Sequence, residues 1–202
     1  MITTAIQAGG RSSRMGEDKA LLKLHGVPLI ELVLHEIEDL TDEILITTNN
    51  PKSLEYLHVR LVTDPTPGEG ALRGMHTALA SANNERVLVI ACDMPFVQKE
   101  LLAAMLSINS SDDVIVPMLD GNYEPMHAIY LRTPCLRAVE NALNAGEKKL
   151  TSFFHNVRVH TLGEEVIGMY DPEGLSFYNI NTPQDLQMAE GIYQNLRDHE
   201  KD

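Results

Sequence analysis

Cations and small residues crowd one short stretch of an otherwise acidic chain: Gln7-Ala8-Gly9-Gly10-Arg11-Ser12-Ser13-Arg14-Met15-Gly16-Glu17-Asp18-Lys19. Small residues let backbone N–H groups approach a polyanion, and Arg11, Arg14 and Lys19 supply compensating charge. The chain carries 16 Lys and Arg against 29 Asp and Glu, a net charge of −13. Four of those cations, Arg11, Arg14, Lys19 and Lys23, fall within positions 11–23, where an even spread would put about one. A cationic focus on an acidic protein suits a small phosphate-bearing ligand. It argues against an extended nucleic-acid footprint, which needs a basic stripe.

Two standard readings of this loop fail. A P-loop needs G-x-x-x-x-G-K-[ST], whereas Gly16 is followed by Glu17, and Gly9-Gly10 does not supply the G-x-G-x-x-G of a dinucleotide fingerprint. Gly68-Glu69-Gly70-Ala71-Leu72-Arg73-Gly74 comes closer, but its last gap is one residue too long, so a tight turn into a helix is the better reading. A dinucleotide oxidoreductase is therefore not expected. Two carboxylates sit where chemistry is plausible: Asp64 after one strand-like run and Asp93 after the apolar Val87–Ala91. A carboxylate directly after a buried strand is well placed to hold Mg²⁺ against a phosphate. For Asp93 taken alone, a turn or cap residue is an equally good reading. His155 and His160 lack partners at metal-binding spacing, His25, His35, His58 and His199 read as surface, and no Ser/His/Asp or Cys/His arrangement can be assigned. Cys92 reads as core, and a single bond to Cys135 stays open.

The elements that must position these residues alternate. Strands are expected at Thr3–Gln7, Ile44–Thr48, Val59–Thr63, Val87–Ala91, Val114–Pro117, Ala128–Leu131 and Val157–Thr161. Helices are expected at Leu29–Leu40, Ala71–Ala82, Lys99–Leu106, Leu136–Ala145 and Pro183–Arg197. Strands that are apolar throughout, such as Val87-Leu88-Val89-Ile90, predict a parallel α/β sheet covered on both faces, with ligands outside the carboxyl ends of its strands. Thr182 is expected to cap the last helix, with Asp185 at its third position. Pro117, Gly121 and Pro125 break the rhythm and predict a smaller, partly antiparallel substrate lobe. At 202 residues, with 44% hydrophobic and 22% charged residues, the chain reads as one globular domain. The start lacks a basic signal-peptide region and no apolar run approaches the roughly 20 residues of a membrane span, so a cytoplasmic protein without membrane association is expected.

These residues resemble a known family. Ala8-Gly9-Gly10-x-x-x-Arg14-Met15-Gly16-x-Asp18-Lys19 is similar to the signature loop of nucleotidyltransferases with a glycosyltransferase-A-type fold, and within that superfamily to the molybdenum cofactor guanylyltransferases. Further similarities follow in order at Thr48-Asn49, Asp64, Gly70–Gly74, Cys92-Asp93-Met94-Pro95, Glu124–Tyr130, Gly146–Lys149 and Asn179–Leu186. The chain departs from the family's usual Leu at Gln7, and from its Pro and Ala at Ala71 and Arg73.

The resemblance implies a three-layer Rossmann-like nucleotidyltransferase fold with a mostly parallel central sheet. It implies a single domain over 1–202, with a nucleotide-binding part at about 1–110 and an acceptor part at about 111–202. It also implies transfer of GMP from GTP to the terminal phosphate of molybdopterin, with Mg²⁺ (or Mn²⁺) as cofactor and pyrophosphate released. Arg14, Lys19 and Asp93 would be catalytic, with Asp93 ligating the metal. Gln7, Ala8, Gly9, Gly10, Asn49 and Asp64 would join Lys19 and Asp93 around the nucleotide. Lys148, Lys149, Asn179 and Asn181 would face the molybdopterin, although an adjacent Lys pair is most often solvated surface. Protein partners in cofactor delivery are a further expectation. A CTP-dependent sibling enzyme and a non-catalytic nucleotide or cofactor carrier are the rival readings.

Overall fold

The computed structural model describes residues 1–9, 18–64 and 70–199. Ten strands are formed among them. They are β1 (Ile2–Gln7), β2 (Lys23–Leu24), β3 (Val27–Pro28), β4 (Glu43–Thr47), β5 (Arg60–Val62) and β6 (Arg86–Ala91), then β7 (Val114–Leu119), β8 (Asn122–Tyr123), β9 (His127–Leu131) and β10 (Val159–Leu162). The α-helices are α1 (Leu29–Ile37), α2 (Ala71–Ser81), α3 (Lys99–Ser107), α4 (Arg132–Asn144), the short α5 (Glu164–Ile167) and α6 (Pro183–His199).

The main sheet runs β10-β7-β9-β6-β1-β4-β5, with β8 added to β7. Strands β6, β1, β4 and β5 are mutually parallel, and β10 is parallel to β7. Only β9 and β8 run against their neighbours. The expected antiparallel part is thus continuous with the main sheet, because β9 fills the gap between β6 and β7. Strand periodicity sends successive side chains to opposite faces. Ile2 and Ile6 of β1 join Leu88 and Ile90 of β6 against α1 and α3. Ala5 joins Val87 and Val89 against α2 and α4. Helices on both sides of one sheet make three layers, and the strands are apolar throughout because both faces are covered. A third cluster packs α6 through Ala189 onto Leu24, Leu29, Phe96 and Ile180. Among the described residues no helix is long and apolar enough to cross a membrane.

Some boundaries differ from the sequence expectation for local reasons. The first helix ends at Ile37 and tightens into a 3₁₀ turn over Glu38–Leu40. Helix α4 begins at Arg132, four residues earlier than expected, because proline is tolerated in a first helical turn, where its missing N–H has no partner to lose. Strand β10 starts at Val159 and not at Val157. The preceding backbone is taken up by Asp113, whose carboxylate accepts from the Arg158 N–H at 2.9 Å and from its guanidinium at 2.9 and 3.2 Å. The capping of α6 is as expected: Thr182 Oγ1 accepts from the Asp185 N–H at 3.1 Å, and Asp185 Oδ2 accepts from the Thr182 N–H at 2.8 Å.

Candidate functional site

Because β1, β4, β5 and β6 are parallel, their carboxyl ends share one edge of the sheet. Backbone bonds lace that edge together. Ala8 N–H donates to Thr47 O (2.9 Å), Thr48 N–H to Val62 O (2.9 Å), Cys92 N–H to Gln7 O (3.1 Å) and Ala91 N–H to Met126 O (3.1 Å). Segments far apart in sequence therefore leave the sheet at fixed relative positions, a scaffold suited to binding residues.

The centre of the site is a three-way contact. Lys19 Nζ donates to Asp93 Oδ2 at 2.8 Å and to Asn181 Oδ1 at 2.6 Å. The Lys19 and Asp93 side chains are only 22% and 16% exposed, so this pair is far less screened than a surface ion pair. Each partner is held from behind. Asp18 caps a 3₁₀ turn over Lys19–Leu21 by accepting from the Ala20 N–H at 3.2 Å. The Asp93 carbonyl accepts from the Ile180 N–H at 2.9 Å, tying β6 to the Asn179–Asn181 segment. Asp185 Oδ2 accepts from the Asn181 N–H at 2.8 Å. Hydrogen bonds from that backbone N–H, with smaller help from Thr182 and the nearby Lys19, hold the Asp185 carboxyl below the usual carboxylate range.

Three expected site residues, Lys19, Asp93 and Asn181, are thus brought together. Ala8 and Gly9 lie alongside: Asn49 Nδ2 is 3.7 Å from where a Cβ on Gly9 would be. Asp64 lies two residues beyond β5, half-buried. Asn179 is turned back, with Nδ2 donating to Phe177 O at 3.1 Å. Lys148 and Lys149 are exposed, and the Lys148 carbonyl lies beside Gly70, 3.6 Å from a Cβ built there. That brings the 146–149 loop to the start of α2. Gly70 itself has φ +107, a left-handed backbone that favours glycine. Gly10 and Arg14, with Arg11, lie outside the described residues.

The structure adds residues to which the sequence assigned no role. His127, at the start of β9, is fully buried, and neither ring nitrogen has a hydrogen-bond partner among the described residues. Burial lowers its pKa to about 4, opposed by the negative charge of Asp171. Its ring packs on Phe177 at 5.0 Å, two residues before Asn179. Asp171 in turn accepts from the Leu175 and Ser176 N–H groups at 2.9 and 2.8 Å, fixing the start of the same segment. A histidine between Met126 and a run of apolar residues carries that burial signal in sequence. Cys92 and Cys135 are both buried free thiols.

Among the described residues no group of three or more His, Cys, Asp or Glu side chains could enclose a metal. Two hard oxygens, Asp93 Oδ2 and Asn181 Oδ1, do converge on one cation, the Lys19 ammonium. That donor set fits Mg²⁺ when most of its remaining ligands are phosphate oxygens and water.

The model of the MobA-like NTP transferase domain matches residues 4–164. A probable molybdenum cofactor guanylyltransferase of Natranaerobius thermophilus is 37% identical over 194 residues, covering 93% of this chain and 94% of its own. The molybdenum cofactor guanylyltransferase of Desulfosudis oleivorans is 35% identical over 193 residues, 94% of each chain. Among solved structures, molybdopterin-guanine dinucleotide biosynthesis protein A from Archaeoglobus fulgidus superposes with a TM-score of 0.83 at 30% identity, covering 96% of this chain and 99% of its own. The 4-diphosphocytidyl-2C-methyl-D-erythritol synthase of Anaerococcus prevotii has the same fold, with a TM-score of 0.73 at 16% identity over 96% of each chain.

Proposed function

The chain belongs to the MobA-like NTP transferase domain family, and on that premise we propose that it transfers GMP from GTP to the terminal phosphate of molybdopterin. An oxygen of the acceptor phosphate attacks the α-phosphorus of GTP. The bond from that phosphorus to the β-bridging oxygen breaks, and pyrophosphate leaves with the electron pair. The products are a guanine dinucleotide of the cofactor and pyrophosphate. Such a reaction asks the protein for in-line positioning and for neutralisation of charge.

The observation that carries this reading is the convergence of Lys19, Asp93 and Asn181 at the carboxyl edge of the sheet. Lys19 turns from Asp93 to the β- and γ-phosphates and neutralises them as they depart, with Arg14 assisting. Asp93, with Asn181 beside it, would hold Mg²⁺ or Mn²⁺, which would supply charge neutralisation for the reacting phosphates. Backbone N–H groups of Ala8, Gly9 and Gly10 meet the nucleotide, with Gln7, Asn49 and Asp64 on the base and ribose side. Lys148 and Lys149 face the acceptor beside Asn181, while Asn179, turned back on Phe177, shapes the segment that presents Asn181. The reducing cytoplasm suits the two free thiols, and the dinucleotide product passes to protein partners in cofactor delivery.

The test offers GTP, CTP and ATP separately with Mg²⁺ and molybdopterin and measures pyrophosphate. Release with GTP is the expected result. Release with CTP alone would move the chain to a sibling activity. No release from protein that still binds a nucleotide would leave a carrier.

A further inference from the structure

Arg86 opens β6 at the edge of the sheet opposite to Asp93, which follows the far end of the same strand. At about 3.3 Å per residue the two stand roughly 20 Å apart. Arg86 Nη1 donates to Leu106 O at 3.0 Å and so satisfies a carbonyl in the last turn of α3. That accounts for one arm of the guanidinium. The other, Nη2, is buried without a hydrogen-bond partner among the described residues. A desolvated donor on a charged group costs more unmatched than a neutral one, so it calls for an acceptor.

Arg86 lines a cavity of about 270 Å³ between this edge of the sheet and the connection from α3 to β7. Ile115, Ile129 and Leu131 give it an apolar wall, and the exposed Asn109 and Ser111 stand at its rim. Two carboxylates also line it, and both are engaged elsewhere. Asp113 accepts from the Arg158 guanidinium at 2.9 and 3.2 Å. Asp112 Oδ2 accepts from the Ser110 hydroxyl at 2.6 Å, with His160 Nδ1 3.5 Å away. Neither satisfies Arg86 Nη2, but their negative charge at the cavity disfavours a multiply charged anion. The connection over 108–113 carries no helix or strand of its own, so a small shift of it admits an acceptor to the enclosed nitrogen.

We propose that this cavity binds a small monocarboxylate with an aliphatic body, its carboxylate accepting from Arg86 and its carbon chain lying on Ile115, Ile129 and Leu131. A guanidinium fork matches the two oxygens of a carboxylate, and the apolar wall gains by covering methylene groups. A neutral ligand leaves the guanidinium unanswered, and a phosphate meets Asp112 and Asp113. The site is separate, in place and in chemistry, from the edge assigned to the nucleotide, and it does not rest on the transferase reading.

The experiment titrates butanoate, butanamide and inorganic phosphate into the full-length ¹⁵N-labelled protein at constant ionic strength and follows the backbone amide resonances. Wild type is compared with Arg86→Met and Ser111→Glu, and melting temperatures show which variants fold. Butanoate gives saturable shifts at Arg86 and across 108–113, with an affinity on the order of millimolar for so small a ligand. Butanamide, of the same shape without the charge, and phosphate bind at least about tenfold more weakly. Arg86→Met keeps the stem and removes the fork, and weakens butanoate by about tenfold or more. Ser111→Glu adds a negative charge at an exposed rim position and weakens it roughly two- to fivefold, which serves if Arg86→Met does not fold. The proposal is overturned if butanoate gives no saturable shift, or if butanamide or phosphate binds as well. It is equally overturned by unchanged butanoate affinity in folded Arg86→Met or, where that variant does not fold, in Ser111→Glu.

Discussion

Replacing His127 with leucine should change how the protein responds to acid more than how it behaves at neutral pH. An ordinary imidazole titrates near 6.5, whereas burial holds His127 at about 4 in the folded chain. Unfolded protein therefore takes up a proton as pH falls below 6.5, and folded protein does not until about 4. Stability is fully present above 6.5 and is lost as pH falls through that window. The whole interval is worth roughly 3 kcal/mol, and by pH 5 roughly 2 kcal/mol is gone, a large part of the 5–15 kcal/mol typical of a domain. Carboxylates titrate in the same range, and Asp171 beside the imidazole opposes the effect, so the informative quantity is a difference between two proteins. Urea unfolding of wild type and His127→Leu at intervals from pH 7.5 to 4.5 measures it. The variant should lose roughly 2 kcal/mol less than the wild type between pH 7.5 and 5. Parallel loss in the two proteins would refute the argument. It would mean that the imidazole is charged and paired in the folded state.

Four further outcomes follow from the site and its supports. Asp93→Asn keeps the side chain's shape but removes its charge, and should lower pyrophosphate release by at least about a hundredfold with little change in melting temperature; full turnover would show that this carboxylate holds no metal. Lys19→Met removes the ammonium shared by Asp93 and Asn181, so kcat should fall by about 10²–10³, which steady-state kinetics would read. Asp185→Ala unties the cap of α6 and the Asn181 backbone together: urea titration should show a loss of about 1 kcal/mol, alongside a raised KM for the acceptor. Burial raises the Cys135 thiol to about 12 and the Cys92 thiol further, so neither should react with a thiol reagent at pH 8 until the protein is unfolded.

The parts of this fold legible in sequence were those whose physics is local. Val87–Ile90 is apolar at every position because both of its faces are covered, a pattern that marks a strand buried within the sheet, although it does not show that β6 runs parallel to β1 and antiparallel to β9. Thr182 and Asp185 form their reciprocal cap from residues three apart, so spacing suffices to find it. The β7–β8 hairpin turns through Asp120 and Gly121, both at positive φ, an Asp-Gly signal present in the chain but passed over. His25-Gly26 makes the corresponding turn between β2 and β3. What the sequence did not show was set by tertiary contacts. The start of β10 depends on Asp113, 45 residues upstream of Arg158. The burial of His127 depends on Phe177, and the Gln7 side chain lies against Gly74, in a helix that begins 64 residues later. Within the site, Lys19 and Asp93 could be named from residue type and family likeness. Their meeting at Asn181, 162 positions from Lys19, could not.

The placement of β9 bears on how the protein must be made. Strand β6 is complete at Ala91, but the strand that covers its second edge ends at Leu131, 40 residues later. A ribosome adding about 5–20 residues per second leaves that edge bare for about 2–8 s in every chain it produces. During this interval Val87–Ile90 offers unpaired backbone groups flanked by apolar side chains, the kind of surface on which neighbouring nascent chains stick. Strand β9 thus acts as a built-in chaperone for the half of the sheet that precedes it. A chain halted after β6 has emerged and before β9 has would lack it.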